Sequence, residues 1–262
     1  MTADFEVYSL ASGSSGNCYL IWGGDTAVLI DAGITLKALT AGLARFGYSP
    51  AQLDAVFVTH EHSDHVKGVG PLSRRYETPV YANMPTIRAM LERNGAINVR
   101  EMPIGQEVEI GALSVRSYRL PHDGVCHVGY VVSCGGKSVC LATDIGFVCD
   151  PLKNEIGEAD LLILESNHDI RMLEEGPYPY HMKRRIRSSG GHISNEEAAQ
   201  ALVECCKGRR RQVWLAHLSC VNNMPALAMA TVKSSLEANG MDNIELAVAG
   251  RDLPSLRWNP DN

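Results

Sequence analysis

The chain has 262 residues, 45% of them hydrophobic and 21% charged, with a formal net charge of −6 at pH 7. That balance is typical of a water-soluble globular protein and argues against indiscriminate nucleic-acid binding, while leaving room for a local basic surface. The opening Met-Thr-Ala-Asp-Phe-Glu lacks the basic and apolar regions of a signal peptide, no apolar run approaches membrane-spanning length, and the eight cysteines lack C-x-x-C spacing. These features predict a cytoplasmic protein without disulfides or membrane contact.

In chain order, apolar and β-branched runs between Gly-rich turns predict strands over 6–10, 18–21 and 27–30. A helix over 35–46 and a strand over 55–58 follow. Helices over 66–76 and 85–94 flank a short strand at 80–81. Strands are expected near 107–110, 113–120, 128–133 and 138–142. The remainder alternates: strand 160–164, helix 195–206, strand 212–216, helix 225–238 and strand 244–248, ending in a short tail over 251–262. Ser194 and Glu197 form a capping box at the start of the 195–206 helix. No linker or repeat divides the chain, so a single domain over 1–262 is expected, built from two packed sheets with helices outside. No obligate protein partner is evident.

The strand at 55–58 leads into Val-Thr-His-Glu-His-Ser-Asp-His (58–65), which places His60, His62, Asp64 and His65 within six positions. Imidazole with carboxylate suits borderline divalent cations such as zinc, manganese or iron(II). A tight loop at a strand end aims such residues inward in two sets, although one ion takes only about four ligands. His122, Asp144 and His217 each follow a predicted strand. Singly they read as a loop histidine, a turn aspartate and a capped core histidine. Together with the cluster they supply what a two-metal site lacks, because strand ends converge on one rim in α/β architectures.

Three further segments bear on the substrate. Residues 10–17, Leu-Ala-Ser-Gly-Ser-Ser-Gly-Asn, are either a hairpin turn or a loop whose Ser14, Ser15 and Asn17 face a phosphate. His168, in Glu-Ser-Asn-His-Asp (165–169), is a general acid for the leaving oxygen or a packed histidine without catalytic duty. Residues 178–195 place Lys183, Arg184, Arg185 and Arg187 before Gly191-His192, where a polynucleotide backbone can be held. Lys207, Arg209, Arg210 and Arg211 precede the strand ending at His217, so they belong at the opposite rim.

The His60-x-His62-x-Asp64-His65 motif with His122, Asp144 and His217 resembles the metallo-β-lactamase superfamily along essentially the whole chain. The resemblance implies an α/β fold, the four-layer αββα sandwich. It implies one ion on His60, His62 and His122, a second on Asp64, His65 and His217, and Asp144 bridging them with a water or hydroxide. Asp31 matches the superfamily's first motif and is expected to orient a ligand histidine. True β-lactamases lack the Asp-His pairing, carry Cys at the Asp144 position and are exported.

The segments around Gly13, His168 and His192, with Ala216-His217-Leu218-Ser219, Asn222, Asn223 and Pro225, resemble one bacterial group, the WalJ/YycJ-like exonucleases. Gly124 departs from the Ala more usual there. The resemblance implies a metal-dependent phosphodiesterase, a 5′→3′ DNA exonuclease using two Zn2+ or Mn2+ ions, with DNA as substrate. Expected catalytic side chains are Asp64, His168 and His192. Expected substrate contacts are Ser14, Ser15, Asn17, Lys183, Arg185, Asn222 and Asn223. The alternatives are a small-molecule cyclic phosphodiesterase, a glyoxalase-type thioester hydrolase and a tRNA 3′-processing enzyme.

Overall fold

The computed structural model describes residues 5–206 and 208–260. The first half comprises β1 (Phe5–Ala11), β2 (Cys18–Gly23), β3 (Thr26–Ile30), α1 (Leu36–Ala44), β4 (Ala55–Phe57), α2 (Ser63–Val66), α3 (Val69–Tyr76), β5 (Val80–Ala82), α4 (Met84–Asn94) and β6 (Val99–Glu101). Then come β7 (Glu107–Ile110), β8 (Leu113–Arg119), β9 (Val128–Cys134), β10 (Lys137–Ala142), α5 (Asp150–Glu158) and β11 (Leu161–Glu165). The chain continues through α6 (Ile170–Glu175), α7 (Tyr180–Ile186), α8 (Asn195–Cys205), β12 (Arg211–Ala216), α9 (Pro225–Ala238), β13 (Ile244–Val248) and β14 (Leu256–Trp258).

Two seven-stranded sheets form, in the orders β14-β1-β2-β3-β4-β5-β6 and β13-β12-β11-β10-β9-β8-β7. Side chains alternate between faces with period two. Phe5, Val7, Tyr19, Ile21 and Phe57 from one sheet therefore meet Val115, Val132, Leu141, Ile163 and Trp214 from the other in a shared core. The opposite face of the first sheet buries Leu10, Leu20 and Leu29 against Leu39, Leu43, Leu72 and Met90 of α1, α3 and α4. The opposite face of the second buries Cys140, Leu162 and Leu164 against Ile156, Leu202, Val232 and Leu236 of α5, α8 and α9. Four layers result, αββα, as expected. Strands covered on both faces read as continuous apolar runs, which is why most were legible in the sequence.

The differences have local causes. The helix predicted over 66–76 divides because the Gly68 N–H donates to Ala32 O at 2.7 Å, a bond outside the helical ladder. The expected C-terminal tail contains β14, which pairs with β1 (Val7 opposite Trp258), and the Trp258 ring packs edge-on against Phe5 at 5.6 Å. In the basic run before β12, Lys207 lies outside the described residues. Arg211 is buried and donates to the carbonyls of Ile156 and Gly157, while Arg209 pairs with Asp160 at 2.9 Å. These residues close the C-terminal end of α5, at the end of β12 opposite His217. No helix among the described residues is long and apolar enough to cross a membrane.

Candidate metal centre

Strands β3 and β4 run parallel, as do β10, β11 and β12. Their C-terminal ends deliver Asp31, Thr59-His60, Asp144, Glu165 and His217 to one rim, and the loop after β8 adds His122. Asp31, Asp144 and His217 leave their strands with φ of 58°, 58° and 53°. That left-handed geometry costs on the order of 1–3 kcal/mol at a residue other than glycine and collects at functional sites. Local hydrogen bonds hold it: Thr59 N to Asp31 Oδ1 at 2.9 Å, Asp144 N to Glu165 Oε1 at 3.1 Å, and His217 N to Ser12 Oγ at 2.8 Å.

The converging side chains fall into groups whose ligand atoms all lie within 4.8 Å of one another: His60, His62 and His122; Asp64, His65, Asp144 and His217; and Asp144, Glu165, His192 and His217. Asp144 stands between the first two groups, with Oδ1 3.8 Å from His122 Nε2 and Oδ2 3.1 Å from His65 Nε2. The imidazoles are fixed from behind. His65 Nδ1 donates to Asp31 Oδ2 at 2.7 Å, His60 Nδ1 to Thr59 Oγ1 at 2.9 Å, His122 Nδ1 to Gly191 O at 3.1 Å, and His217 Nδ1 to Glu165 Oε1 at 2.7 Å. Acceptors on the Nδ1 side assign the proton there and leave Nε2 as the ligand atom. His60 Nε2, His217 Nε2 and Asp144 Oδ2 are buried without a hydrogen-bond partner. Buried polar atoms are rarely left so, and three such atoms spread over the two neighbouring groups fit divalent cations at the site.

Electrostatics agree with this donor set. Burial raises the Asp144 carboxyl, but the His217 and His65 charges overcome it and hold the group well below the usual carboxylate range. For Glu165, burial is again opposed by His192 and His217, and the pKa falls to about 2. Burial lowers His217, yet Asp144, Asp64 and Glu165 raise it to about 10. His65 is likewise raised well above the ordinary imidazole value, by Asp31 and Asp144 acting against burial. A metal must displace these protons, because imidazole ligates in its neutral form. Apparent metal affinity is therefore expected to climb steadily from pH 6 to 8, with proton release on binding measurable calorimetrically in buffers of different ionisation enthalpy. An affinity independent of pH would contradict the arrangement.

The ligand loop is tied to the loops after β1 and β3 with no space between them. Asn17 N donates to Asp64 O at 2.7 Å, and Ala32 N to His65 O at 3.0 Å. A Cβ on Gly33 would lie 1.6 Å from Asp64 O. Gly33→Ala should displace Asp64 and His65 or cost about 3 kcal/mol, read as lost metal content and a lower Tm. Wild-type values of both would show that this contact does not set the loop.

The other expected site residues are placed unevenly. Ser14 and Ser15 are exposed on their turn, and Ser15 Oγ donates to Asp252 Oδ1 at 2.7 Å. Asn17 is buried: its Oδ1 accepts Gly13 N at 2.9 Å and its Nδ2 lies 3.0 Å from His65 Nε2. Its side chain thus ties the Gly13 turn to the edge of the ligand cluster. Asn223 is buried as well, donating to the carbonyls of Ser166 and Asn167, and Asn222 is fully enclosed. Lys183 Nζ donates to Glu174 O at 2.7 Å and Arg185 pairs with Asp123.

His168 is buried outside the ligand groups, because β11 runs on to Glu165 and the His168 backbone then bridges to Ser194. His192 lies among them, 21% exposed, its ring 5.2 Å from both His122 and His217 and its Nδ1 2.9 Å from Glu165 Oε1. Sequence reasoning missed Glu165, a single acid at a strand end whose partners lie 27 and 52 residues further on. It also missed Thr59 and the buried His127, which packs edge-on to His60 at 4.5 Å and contacts Thr143 O at 2.8 Å.

Comparisons with known proteins agree with this geometry. Residues 11–184 match the family model of the metallo-beta-lactamase superfamily. The chain is 38% identical over 234 residues to exodeoxyribonuclease YycJ of Bacillus anthracis, covering 88% of this chain and 89% of that protein. It is 37% identical over 237 residues to exodeoxyribonuclease WalJ of Streptococcus pneumoniae, covering 88% of each. Among solved structures, the metallo-beta-lactamase fold protein YhfI from Bacillus subtilis superposes with a TM-score of 0.73 at 21% identity, over 98% of this chain and 99% of that one. Fold, strand-end histidines and extended sequence identity coincide, and the chain belongs to the metallo-β-lactamase superfamily, in its WalJ/YycJ-like group.

Proposed function

We propose that the chain is a single-domain, two-metal phosphodiesterase of the cytoplasm that degrades DNA as a 5′→3′ exonuclease, using Zn2+ or Mn2+. The observation that carries the reading is the position of Asp144, a buried carboxylate grouped with Asp64, His65 and His217 whose Oδ1 lies 3.8 Å from His122 of the other group. His60, His62 and His122 would hold one ion, Asp64, His65 and His217 the other, and Asp144 both. Bound as a pair, divalent ions polarise phosphoryl oxygens and lower the pKa of a bridging water. The relatives named exodeoxyribonucleases, similar along most of the chain, direct this chemistry to DNA.

The chain's own residues supply the rest. Asp31, Thr59 and Glu165 keep the ligand rings in one orientation. Asp64 has 19% of its side chain exposed against 3% for Asp144, so of the two carboxylates it is the more open to accept a proton from the attacking water. Of the two histidines read as acids, His192 is the one among the ligand groups. Burial lowers its pKa, but the Glu165 and Asp144 charges raise it, a direction that suits a proton donor to the leaving oxygen. Beside it, α7 buries none of its side chains and leaves Tyr180 80% exposed. Lys183, Arg184 and Arg187 line a 560 Å3 cleft there, suited to a polynucleotide backbone. Ser14 and Ser15 are exposed on the turn after β1 and offer further contacts.

Duplex DNA labelled at either the 5′ or the 3′ end tests the reading. With Zn2+ or Mn2+, the 5′ label should appear at once in mononucleotides while the 3′ label stays on shortening strands. Intact DNA alongside turnover of a cyclic nucleotide would refute it and favour a small-molecule phosphodiesterase.

A further inference from the structure

Asp123 lies outside the ligand set yet sits at its mouth. It follows His122, and its Oδ1 lies 3.3 Å from His122 Nε2 and 3.7 Å from His62 Nε2. Its Oδ2 accepts two bonds from Arg185, from Nε at 2.8 Å and Nη2 at 2.5 Å. The loop that positions His122 also positions this carboxylate. Asp123 N donates to Gly190 O at 3.1 Å, one residue from the Gly191 carbonyl that receives His122 Nδ1.

An ordinary surface ion pair does not account for this placement. Exposed pairs contribute only about 0–1 kcal/mol, and the Asp123 side chain is 33% exposed with solvent available to it. With the His122 proton committed to Gly191 O, the Nε2 lone pair faces a carboxylate oxygen. Two such donors repel unless a cation lies between them. Ligands of one ion with bonds of about 2.0–2.1 Å stand roughly 3–4 Å apart, a range that includes the 3.3 Å to His122 and the 3.7 Å to His62.

We propose that Asp123 is a further, labile protein ligand of the ion held by His60, His62, His122 and Asp144, tethered by Arg185 until a substrate phosphate takes the place of the carboxylate on both partners. The inference rests on the two-ion reading of the site. Carboxylate and phosphate oxygens both accept from a guanidinium, so one anion can take the other's place on Arg185. Asp123 thus competes with substrate, and Arg185 passes from carboxylate to phosphate as the strand enters.

The test uses the full chain, stripped with a chelator and reloaded with Co2+. Chelator competition gives two site affinities, visible absorption reports coordination, and inorganic phosphate serves as the anion. The expected result is that Asp123→Asn and Asp123→Ala lose about ten-fold or more in affinity at one site only, with an altered Co2+ spectrum. Phosphate should shift the wild-type spectrum towards that of Asp123→Ala, whose own spectrum responds less. Wild-type affinities and spectra in both variants would overturn the proposal. His62→Ala separates the two levels. If it loses an ion while both Asp123 variants keep theirs, only the role of Asp123 falls. If it too keeps both ions, the ligand reading falls, and this proposal with it.

Discussion

Glutamine in place of Glu165 should cut turnover by about 10²-fold or more and weaken metal binding about 10- to 100-fold, the usual range when the partner of a ligand histidine is lost. The carboxylate is fully buried and accepts five N–H groups. Oε1 takes Asp144 N, His192 Nδ1 and His217 Nδ1, while Oε2 takes Ile145 N and Ile193 N. An amide has one oxygen and one NH2, so either orientation turns donors against donors. Each buried N–H left unpaired costs about 1–3 kcal/mol. The variant also loses the charge that raises His192, so the limb of the pH–rate profile set by this acid should move to lower pH. Acid unfolding offers an independent check. A carboxyl lowered to about 2 from an unfolded value of 4.5 stabilises the fold above pH 4.5, and that contribution fades as pH falls through 2. Wild-type kcat and metal content in Glu165→Gln would remove this residue from the account.

Asp144→Asn should be more severe, with turnover down about 10³-fold or more, since a pair of ions supplies several kcal/mol of transition-state stabilisation. The side chain is isosteric and the left-handed backbone tolerates Asn, so the fold should survive. What changes is charge. The carboxylate lies 3.1 Å from His65 Nε2, 3.8 Å from His122 Nε2 and 3.6 Å from His217 Nδ1, so one charge faces ligands of both proposed ions. Metal analysis should show fewer than two ions per chain in a variant that still folds. Full occupancy and activity would mean that Asp144 is not shared.

What was legible in the sequence depended on how local its cause was. The six positions from His60 to His65 announce their chemistry, and strands covered on both faces announce themselves by continuous hydrophobicity. His122, Asp144 and His217 were found because each follows such a strand. Glu165 was not, since an acid at a strand end is ordinary until His192 and His217 fold onto it. Asn17, Asn222 and Asn223 illustrate the reverse. Their neighbourhood in sequence is functional, but their amides are buried, and those of Asn17 and Asn223 brace loops. The same distinction separates His192 from His168: both are rim histidines by sequence, and only His192 falls within a ligand group. β14 has three residues and gains its stability from pairing with β1, at the other end of the chain.

The measurement closest to the central claim is anomalous diffraction from crystals grown with Zn2+ or Mn2+, recorded on both sides of the metal edge. Two peaks about 3.5–4 Å apart are expected, one against His60, His62 and His122, the other against Asp64, His65 and His217, with Asp144 reaching both. One peak, or two that do not share Asp144, would contradict the account.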